Sequence, residues 1–167
     1  MTDVRPRPGR RPPARTFRFK PVGVVRSPYR NPQDLPPPVF ASPRFFEHVL
    51  GEIVIFDEFA PAVADLEGFS HLIVIFAFHR AGGFKLKTVP PGETRPRGIF
   101  ATRSPHRPNP LGMSVVRLLG RDGPVLRVAG LDMIDGTPVL DIKPYTRRDR
   151  KSRIRTGWVT TRPAKAR

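Results

Sequence analysis

The sequence contains no cysteine, and this absence excludes several kinds of chemistry. Disulfide bonds, iron–sulfur clusters held by cysteine thiolates and cysteine nucleophiles all require a residue that the chain lacks. Long apolar runs are missing as well, since no stretch is long enough to span a bilayer and the N-terminus has no apolar signal-peptide core. We therefore expect a cytoplasmic protein without membrane contacts, and no metal site is predicted.

Acidic residues are scarce, and most of the charge imbalance lies at the two ends. The chain has 30 basic and 14 acidic residues. Residues 1–20 and 145–167 together contain sixteen of the basic residues but only two of the acidic ones. This composition predicts a disordered Pro/Arg-rich arm over residues 1–16, a folded domain over 17–146 and a basic tail over 147–167. Cationic arms attract polyanions such as RNA through counterion release, although tails of this kind can also serve solubility alone.

Short runs of β-branched and aromatic residues, separated by turn residues, predict strands. They lie at Val22–Arg26, Glu52–Phe56, Leu72–Phe78, Ile99–Ala101, Ser114–Leu119, Val125–Ala129 and Pro138–Ile142. The other predicted elements are a short helix at Ala60–Glu67 closed by Gly68, a hairpin turn at Gly120–Gly123, and long loops at Ser27–Pro43 and Ala81–Gly98. The pattern is typical of an all-β fold, a mostly antiparallel sheet or barrel with long loops and little helix. No strand leads into the glycine-rich turn of a dinucleotide fold, so a nucleotide cofactor would have to bind in another way.

The segment Phe100–Ser114 combines three prolines with two arginines, a histidine and an asparagine between two apolar runs. Proline fixes the backbone, so this loop should present its arginines at set angles. Arg103 and Arg107 could each grip a carboxylate or a phosphate with two parallel hydrogen bonds. The alternative is an ordinary proline-stiffened connection whose arginines are solvated.

The segment Gly130–Tyr145 holds three carboxylates and an aromatic residue. Asp135 precedes a glycine and fits a turn, and Asp132 could merely cap it. Asp141 lies within an apolar strand, so it either faces solvent on the polar side or is paired inside a site. Tyr145 follows that strand and suits base stacking or plain packing.

These two segments resemble the two signatures of the TsaA/TrmO-like family. The first reads Ala101-Thr-Arg-Ser-Pro-His-Arg-Pro-Asn-Pro-Leu-Gly-Met-Ser114 and the second Leu131-Asp-Met-Ile-Asp-Gly-Thr-Pro-Val-Leu-Asp-Ile-Lys-Pro-Tyr145. Gly23–Tyr29 and Leu66–Leu72 match as well, in the same order. The resemblance implies a small antiparallel β-barrel that forms a homodimer and binds S-adenosylmethionine near the subunit interface. It further implies methylation of N6 on the threonylcarbamoyl-modified adenosine at position 37 of certain tRNAs.

Carried onto matching positions, the resemblance implies a set of cofactor-binding residues: His79, Arg80, Arg103, Leu111, Leu131, Asp132 and Asp135. In this set Arg103 would pair with the methionine carboxylate, backbone groups near Leu131 would read the adenine edge, and an acid in that turn would accept from ribose hydroxyls. His71 and His79 both flank an apolar strand, where a histidine is often only a hydrogen-bonded edge residue. The match to the family favours a cofactor role for His79, whereas Phe76 and Phe78 are predicted to belong to the core.

A methyltransferase of this kind mainly positions its two reactants, and a carboxylate that accepts the N6 proton would help. The candidates are Asp141, which we prefer for its strand position, and Asp135, with Tyr145 as a third catalytic residue. The residues expected to contact tRNA are Arg95, Arg97, Arg107, Asn109 and Lys143.

Two other functions remain open from the sequence. One is a barrel that binds S-adenosylmethionine or RNA as a regulator without catalysis, and the other is a scaffold whose arms bind RNA nonspecifically. The loop Pro38–Arg44 lacks the glutamine of the family's Arg-Gln-Pro stretch, which leaves the first of these open. Longer bacterial members also continue into a C-terminal domain at the point where this chain has its basic tail.

Overall fold

Six antiparallel strands close into a barrel in the computed structural model, which describes residues 16–36 and 43–159. The barrel strands are β1 (Gly23–Arg26), β2 (Leu50–Ile55), β3 (His71–Ala77), β6 (Leu111–Asp122), β7 (Val125–Ala129) and β8 (Pro138–Pro144). Two further strands, β4 (Lys87–Thr88) and β5 (Arg97–Gly98), form a small separate hairpin. The structure thus confirms the predicted all-β class with an antiparallel barrel and long loops.

Alternation along the strands explains why the barrel closes around an apolar core. In β3 the side chains of Leu72, Val74 and Phe76 are buried, while the residues between them are half-buried on the outer wall. The other inward residues are mostly β-branched, which suits a pleated and buried surface. Phe76 belongs to the buried core and Phe78 packs against it, as predicted.

The strand order β1-β2-β7-β6-β3-β8 brings the long connections to one end of the barrel. Arg26 of β1 pairs with Glu52 of β2, Ala77 of β3 with Leu111 of β6, and Pro138 of β8 with Val24 of β1. Because neighbouring strands are antiparallel, the segments 27–31, 78–110 and 130–137 all lie at this end. We call it the loop end of the barrel. The β6–β7 hairpin and Tyr145 lie at the opposite end.

Two predicted elements have a different conformation in the structure. Ile99–Ala101 is a 3₁₀-helix rather than a strand, and it follows β5 directly. The predicted helix at Ala60–Glu67 is replaced by two 3₁₀-helices, Asp57–Val63 and Leu66–Gly68, so Gly68 is not a helix cap. Pro61 and the left-handed Asp65, with φ of 66°, interrupt any longer helix.

The remaining helical elements are short and lie in connections. A four-residue α-helix covers Pro43–Phe46, and 3₁₀-helices cover Pro32–Asp34 and Arg147–Asp149. The predicted hairpin turn at Gly120–Gly123 is observed two residues later, at Asp122–Val125, because β6 continues to Asp122. No helix among residues 16–36 and 43–159 is long and apolar enough to cross a bilayer.

The predicted arms are only partly covered by the structure. Residues 1–15 of the N-terminal arm, residues 160–167 of the tail and the altered loop residues 38–42 lie outside the described residues. Residues 147–159 of the tail are described, and Trp158 contacts the body of the protein.

Candidate functional site

Every residue predicted to bind the cofactor lies at the loop end of the barrel or in the strand residue that borders it. His79 and Arg80 follow β3, Arg103 lies in the β3–β6 connection, and Leu111 begins β6. The remaining three predicted residues, Leu131, Asp132 and Asp135, lie in the β7–β8 connection. The β3–β6 and β7–β8 connections therefore converge at one end, which is what a binding pocket at a barrel mouth requires.

Asp132 is the half-buried acid of this cluster. Ser114 Oγ donates a hydrogen bond to Asp132 Oδ1 at 2.5 Å, and Ser114 itself is 7 % exposed on the inner face of β6. Burial raises the pKa of Asp132, while the Ser114 hydrogen bond and the positive charge of Arg103 oppose that shift. A half-buried carboxylate with one oxygen bonded to Ser114 keeps Oδ2 for a hydroxyl or ammonium donor.

Arg103 supplies the positive charge of the site. Its side chain is exposed, and it lies close enough to Asp132 to act on the pKa of that carboxylate. Arg103 thus offers a donor fork and Asp132 an acceptor at the same end of the barrel, a combination suited to a small ligand with both a carboxylate and hydroxyl groups.

Leu131 is fully buried and fixes the turn that carries Asp132. Its backbone N–H and that of Gly130 both point to the Val49 carbonyl, at 3.4 and 3.0 Å. The side chain of Leu131 packs over Gly51, where an added Cβ would clash with Leu131 Cδ1 and with the Arg26 carbonyl oxygen. Glycine at position 51 therefore permits the close approach of β2, β1 and the turn.

Arg80 connects two of the converging segments. Its Nη1 donates to the Arg30 carbonyl at 3.0 Å and to Asn31 Oδ1 at 3.2 Å, which ties the end of β3 to the segment after β1. The neighbouring His79 is largely exposed, and partial desolvation together with the adjacent Arg80 charge lowers its pKa. His79 is accordingly neutral at physiological pH, with a ring that can accept or donate one hydrogen bond.

Asp135 joins the segment after β1 to the β7–β8 connection. The Ser27 N–H donates to Asp135 Oδ1 at 3.0 Å, and the Asp135 N–H donates to the Tyr29 carbonyl at 2.6 Å. The side chain is exposed and lines an open cleft with Ser27 and Glu52. The geometry gives Asp135 a clear role in holding the two segments together.

Asp141 does not lie at the loop end. It pairs in register with Ile75 on the outer wall of β3, and its carboxylate forms an ion pair with Lys143 at 2.5 Å. A bulge between Ile75 and Phe76 sets this outward orientation. Of the two orientations that the sequence left open for Asp141, the structure shows the outward one, beside apolar residues of the outer wall.

Tyr145 and Lys143 lie still farther from the loop end. The Tyr145 N–H bonds to the His71 carbonyl at the opposite end of β3, and the two rings stack edge-on at 6.3 Å. From Pro138 to Pro144 the strand advances about 20 Å. Within one chain, neither residue therefore shares a pocket with Arg103 and Asp132.

The residues predicted to contact tRNA fall into two groups. Arg107 is turned inward and donates to the Ile99 and Thr102 carbonyls, at 3.4 and 3.2 Å, so it stiffens its own loop. Arg97 forms an ion pair with Glu93 at 2.8 Å, and its Nε is buried without a hydrogen-bond partner among the described residues. Arg95 and Asn109 are exposed near the loop end and remain open to a ligand.

Two residues at or near the site are missed by the sequence reasoning. The pattern predicts Ser114 only as the start of a strand, although a serine at an inward position of an apolar strand signals a buried hydrogen bond. Trp158 falls in the predicted basic tail, yet its indole N–H bonds to the Ala101 carbonyl at 2.8 Å. The only tryptophan of the chain, placed in a basic segment, is the available signal for that contact.

Comparison with known proteins gives a consistent picture. The family model described as the tRNA-methyltransferase O N-terminal domain matches residues 24–149. A protein of Archaeoglobus fulgidus named S-adenosyl-L-methionine-binding protein is 46% identical over 128 residues, which is 77% of this chain and 88% of that protein. The tRNA (adenine(37)-N6)-methyltransferase of Escherichia coli is 41% identical over 140 residues, covering 78% of this chain and 58% of the relative.

Solved structures extend this similarity to the fold. The crystal structure of TrmO from Pseudomonas aeruginosa superposes with a TM-score of 0.71 at 34% identity, covering 87% of this chain and 64% of that one. This chain therefore spans less than two thirds of the length of the named methyltransferases.

Proposed function

This chain belongs to the family of the tRNA-methyltransferase O N-terminal domain, and we propose that it is an S-adenosylmethionine-dependent methyltransferase acting on N6 of adenine 37 in a tRNA. The observation that carries the proposal is the convergence of Arg103, the half-buried Asp132 and the Leu131 turn at one barrel mouth. Relatives named as S-adenosylmethionine-binding proteins and as tRNA methyltransferases support it.

The residues at the loop end fit the chemical groups of this cofactor. S-adenosylmethionine would supply a methyl group made electrophilic by its sulfonium. Arg103 would bind the amino-acid carboxylate, and the free oxygen of Asp132 would accept from a ribose hydroxyl. The neutral state of His79 suits a neighbouring sulfonium, because a second positive charge there would repel it.

Proton transfer from N6 is assigned to Asp135 rather than Asp141. The sequence favours Asp141, but its exposed ion pair with Lys143 on the outer wall supports a structural role instead. Asp135 lies at the loop end with an exposed carboxylate. A threonylcarbamoyl group on the adenine would make N6 more acidic, so that a positioned carboxylate could take its proton.

The outer wall of β3 and β6 supports the proposed homodimer. Three register pairs, Ile73 with Val115, Ile75 with Met113 and Ala77 with Leu111, form a continuous apolar band. Met113 is 52% and Val115 is 44% exposed, which is unusual for apolar residues in the middle of a sheet. The band runs to Leu111 at the loop end, so a two-fold interface there would bring the partner close to the cofactor.

Binding of S-adenosylmethionine without methyl transfer is the second candidate function. It is favoured by the shorter archaeal relative, which matches this chain over 88% of its own length and is named only for binding. If tRNA is the substrate, as in the first candidate function, the protein acts in the cytoplasm.

The test is methyl transfer from labelled cofactor to tRNA, followed by mass spectrometry of the nucleosides. Bulk tRNA with and without the threonylcarbamoyl modification distinguishes the two possible adenine substrates. A new methyl group on adenine 37 that disappears in Arg103→Ala is the expected result. Cofactor binding by calorimetry without transfer would establish the second candidate, and absence of both would leave only the scaffold function.

A further inference from the structure

The described part of the C-terminal segment is held to the barrel at both of its ends. We call residues 146–158 the C-terminal strap. It begins beside Tyr145, whose N–H bonds to the His71 carbonyl at the end of the barrel opposite the loop end. It ends at Trp158, whose indole Nε1 donates to the Ala101 carbonyl at 2.8 Å in the β3–β6 connection. The strap therefore runs from one end of the barrel to the connection that carries Arg103.

The strap is attached to the barrel at its start by the Tyr145 N–H, and a capped turn of 3₁₀-helix follows directly. Both the backbone N–H and the hydroxyl of Thr146 donate to Asp149 Oδ2, at 2.7 and 2.9 Å. These hydrogen bonds are the leading cause of the lowered pKa of Asp149. The only acid of the strap is thus engaged in its own cap.

The second anchor is Trp158, which has two polar contacts. Its N–H bonds to Ala101, and the Arg97 guanidinium lies 5.3 Å from the centre of its ring. A turn in which the Val159 N–H bonds to the Thr156 carbonyl presents the indole, and Gly157 at a φ of 63° makes that turn possible. The hydrogen bond and the cation–π contact fix the position of the indole more specifically than apolar packing alone would.

Between the anchors the strap carries a line of positive charge. Six basic side chains are exposed along it: Arg147, Arg148, Arg150, Lys151, Arg153 and Arg155. In a free tail such charges would attract polyanions from any direction. Held at two points, they instead form a fixed cationic path that leads toward the loop end.

We propose that the C-terminal strap is a binding track for RNA phosphates that leads to the loop end, and that Trp158 is the positioning residue that holds the track in place. The proposal rests on the proposed function, since it assigns part of the tRNA recognition of that same site. RNA is the partner because the path is basic and exposed, with a phosphate-binding residue type at six positions and no continuous apolar face.

The test measures binding of a fluorescent anticodon stem-loop RNA at several salt concentrations. In the full chain, Arg153→Gln with Arg155→Gln removes two charges of the track. Arg117→Gln with Arg127→Gln is the matched control, because both are exposed arginines of the barrel wall and neither forms an ion pair among the described residues. The strap pair should weaken RNA binding about tenfold and lower the salt slope by about one to two, whereas the control pair should change neither.

Trp158→Ala isolates the positioning role. It should raise KM for tRNA several-fold with little change in kcat or in cofactor affinity. Its effect should also overlap with that of the strap pair, so that removing Arg153 and Arg155 costs less affinity in a chain that already carries Trp158→Ala. Trp158→Phe keeps the ring beside Arg97 but loses the N–H, and an intermediate KM is expected.

Additive effects of the two changes, or wild-type RNA affinity in the strap pair, would overturn the proposal. So would binding to vesicles containing anionic lipid together with no binding to RNA. Because the arginines are exposed, their replacement cannot unfold the barrel, and the strap pair remains informative even if Trp158→Ala lowers the melting temperature. If the wild type methylates tRNA and the strap variants bind RNA as tightly as the wild type does, only this inference fails. If the wild type neither binds nor methylates tRNA, the proposed function fails as well.

Discussion

The carboxylate of Asp132 occupies a place where its charge is destabilising. Burial raises its pKa above the ordinary value of 3.8, so the folded state binds the proton more tightly than the unfolded state does. The protonated Asp132 therefore contributes to the free energy of unfolding at low pH. This contribution is fully present below the pKa of Asp132 in the unfolded chain and is lost as the pH rises through its pKa in the folded protein. A residue that reduces stability at neutral pH at a barrel mouth is typical of a functional site.

Replacing Asp132 with Asn should separate stability from function. The amide oxygen still accepts the hydrogen bond from Ser114, and no charge is buried, so the melting temperature at pH 7 should stay level or rise. Affinity for S-adenosylmethionine should fall about tenfold to a hundredfold, as expected for loss of a charge-assisted hydrogen bond of about 1.5–3 kcal/mol. Thermal melts across pH and calorimetry on the same samples measure both effects. A fall in both properties would mean that Asp132 is structural.

Arg103→Ala should weaken the cofactor to a similar degree by removing the partner of its carboxylate. Arg103→Lys should recover only part of the loss, because an ammonium lacks the two-pronged geometry of a guanidinium. Arg127→Ala is the control, since Arg127 is an exposed arginine of β7 away from the loop end. Titration calorimetry with S-adenosylmethionine checks the order of the three variants. Equal affinity in Arg103→Ala and wild type would contradict the assignment.

At the scale of elements, strand positions were predictable while their exact ends and the short connections were not. Val125–Ala129 is predicted with its observed bounds, because alternating apolar residues lie between clear turn residues. Ile99–Ala101 has the composition of a strand, yet it turns as a 3₁₀-helix after Gly98. Three residues are too few for periodicity to distinguish the two conformations.

The pairing of β1 with β8, which closes the barrel, joins residues more than a hundred positions apart and leaves no local trace in the sequence. The same limit applies to the site. Resemblance to the family identified the segments that converge, but the outward orientation of Asp141 depends on a bulge opposite β3. Hydrophobic patterning alone could not distinguish that orientation from an inward one.

Gly51→Ala should test how β2 supports the Leu131 turn. A Cβ at this position would clash with the Arg26 backbone oxygen as well as with Leu131, so one of the two elements must shift. Overpacking of this kind destabilises by about 1–3 kcal/mol, and cofactor affinity should fall because the turn moves. The matched control is Gly68→Ala, where an added Cβ would meet no atom within 4 Å. Melting temperature and cofactor affinity unchanged in Gly51→Ala would show that the turn tolerates the displacement.

At the scale of the whole molecule, charge and apolar surface are arranged on different faces. The apolar band lies on the outer wall of β3 and β6, and Asp141 and Lys143 flank it on β8 through their register with Ile75 and Ile73. A two-fold axis through such a band would place the same residues against each other, which is how an isologous dimer interface is built. In such a dimer the ion pair of Asp141 would lie at the edge of the interface, a role independent of methyl transfer.

Val115→Lys should convert the proposed dimer to a monomer. Val115 is exposed in the single chain, so a lysine there leaves the barrel core intact, whereas at a two-fold interface it would bury two like charges without partners. Sedimentation should show half the mass, and the melting temperature should lose the concentration dependence that a dimer gives to the wild type. Cofactor affinity should fall in the monomer, because the band ends at Leu111 beside the site.

Leu119→Lys is the control for this prediction. Leu119 is also an apolar residue of β6 and is 46% exposed, but it lies beyond the stretch that pairs with β3. If Val115→Lys sediments like the wild type and the control, the band is not the dimer interface.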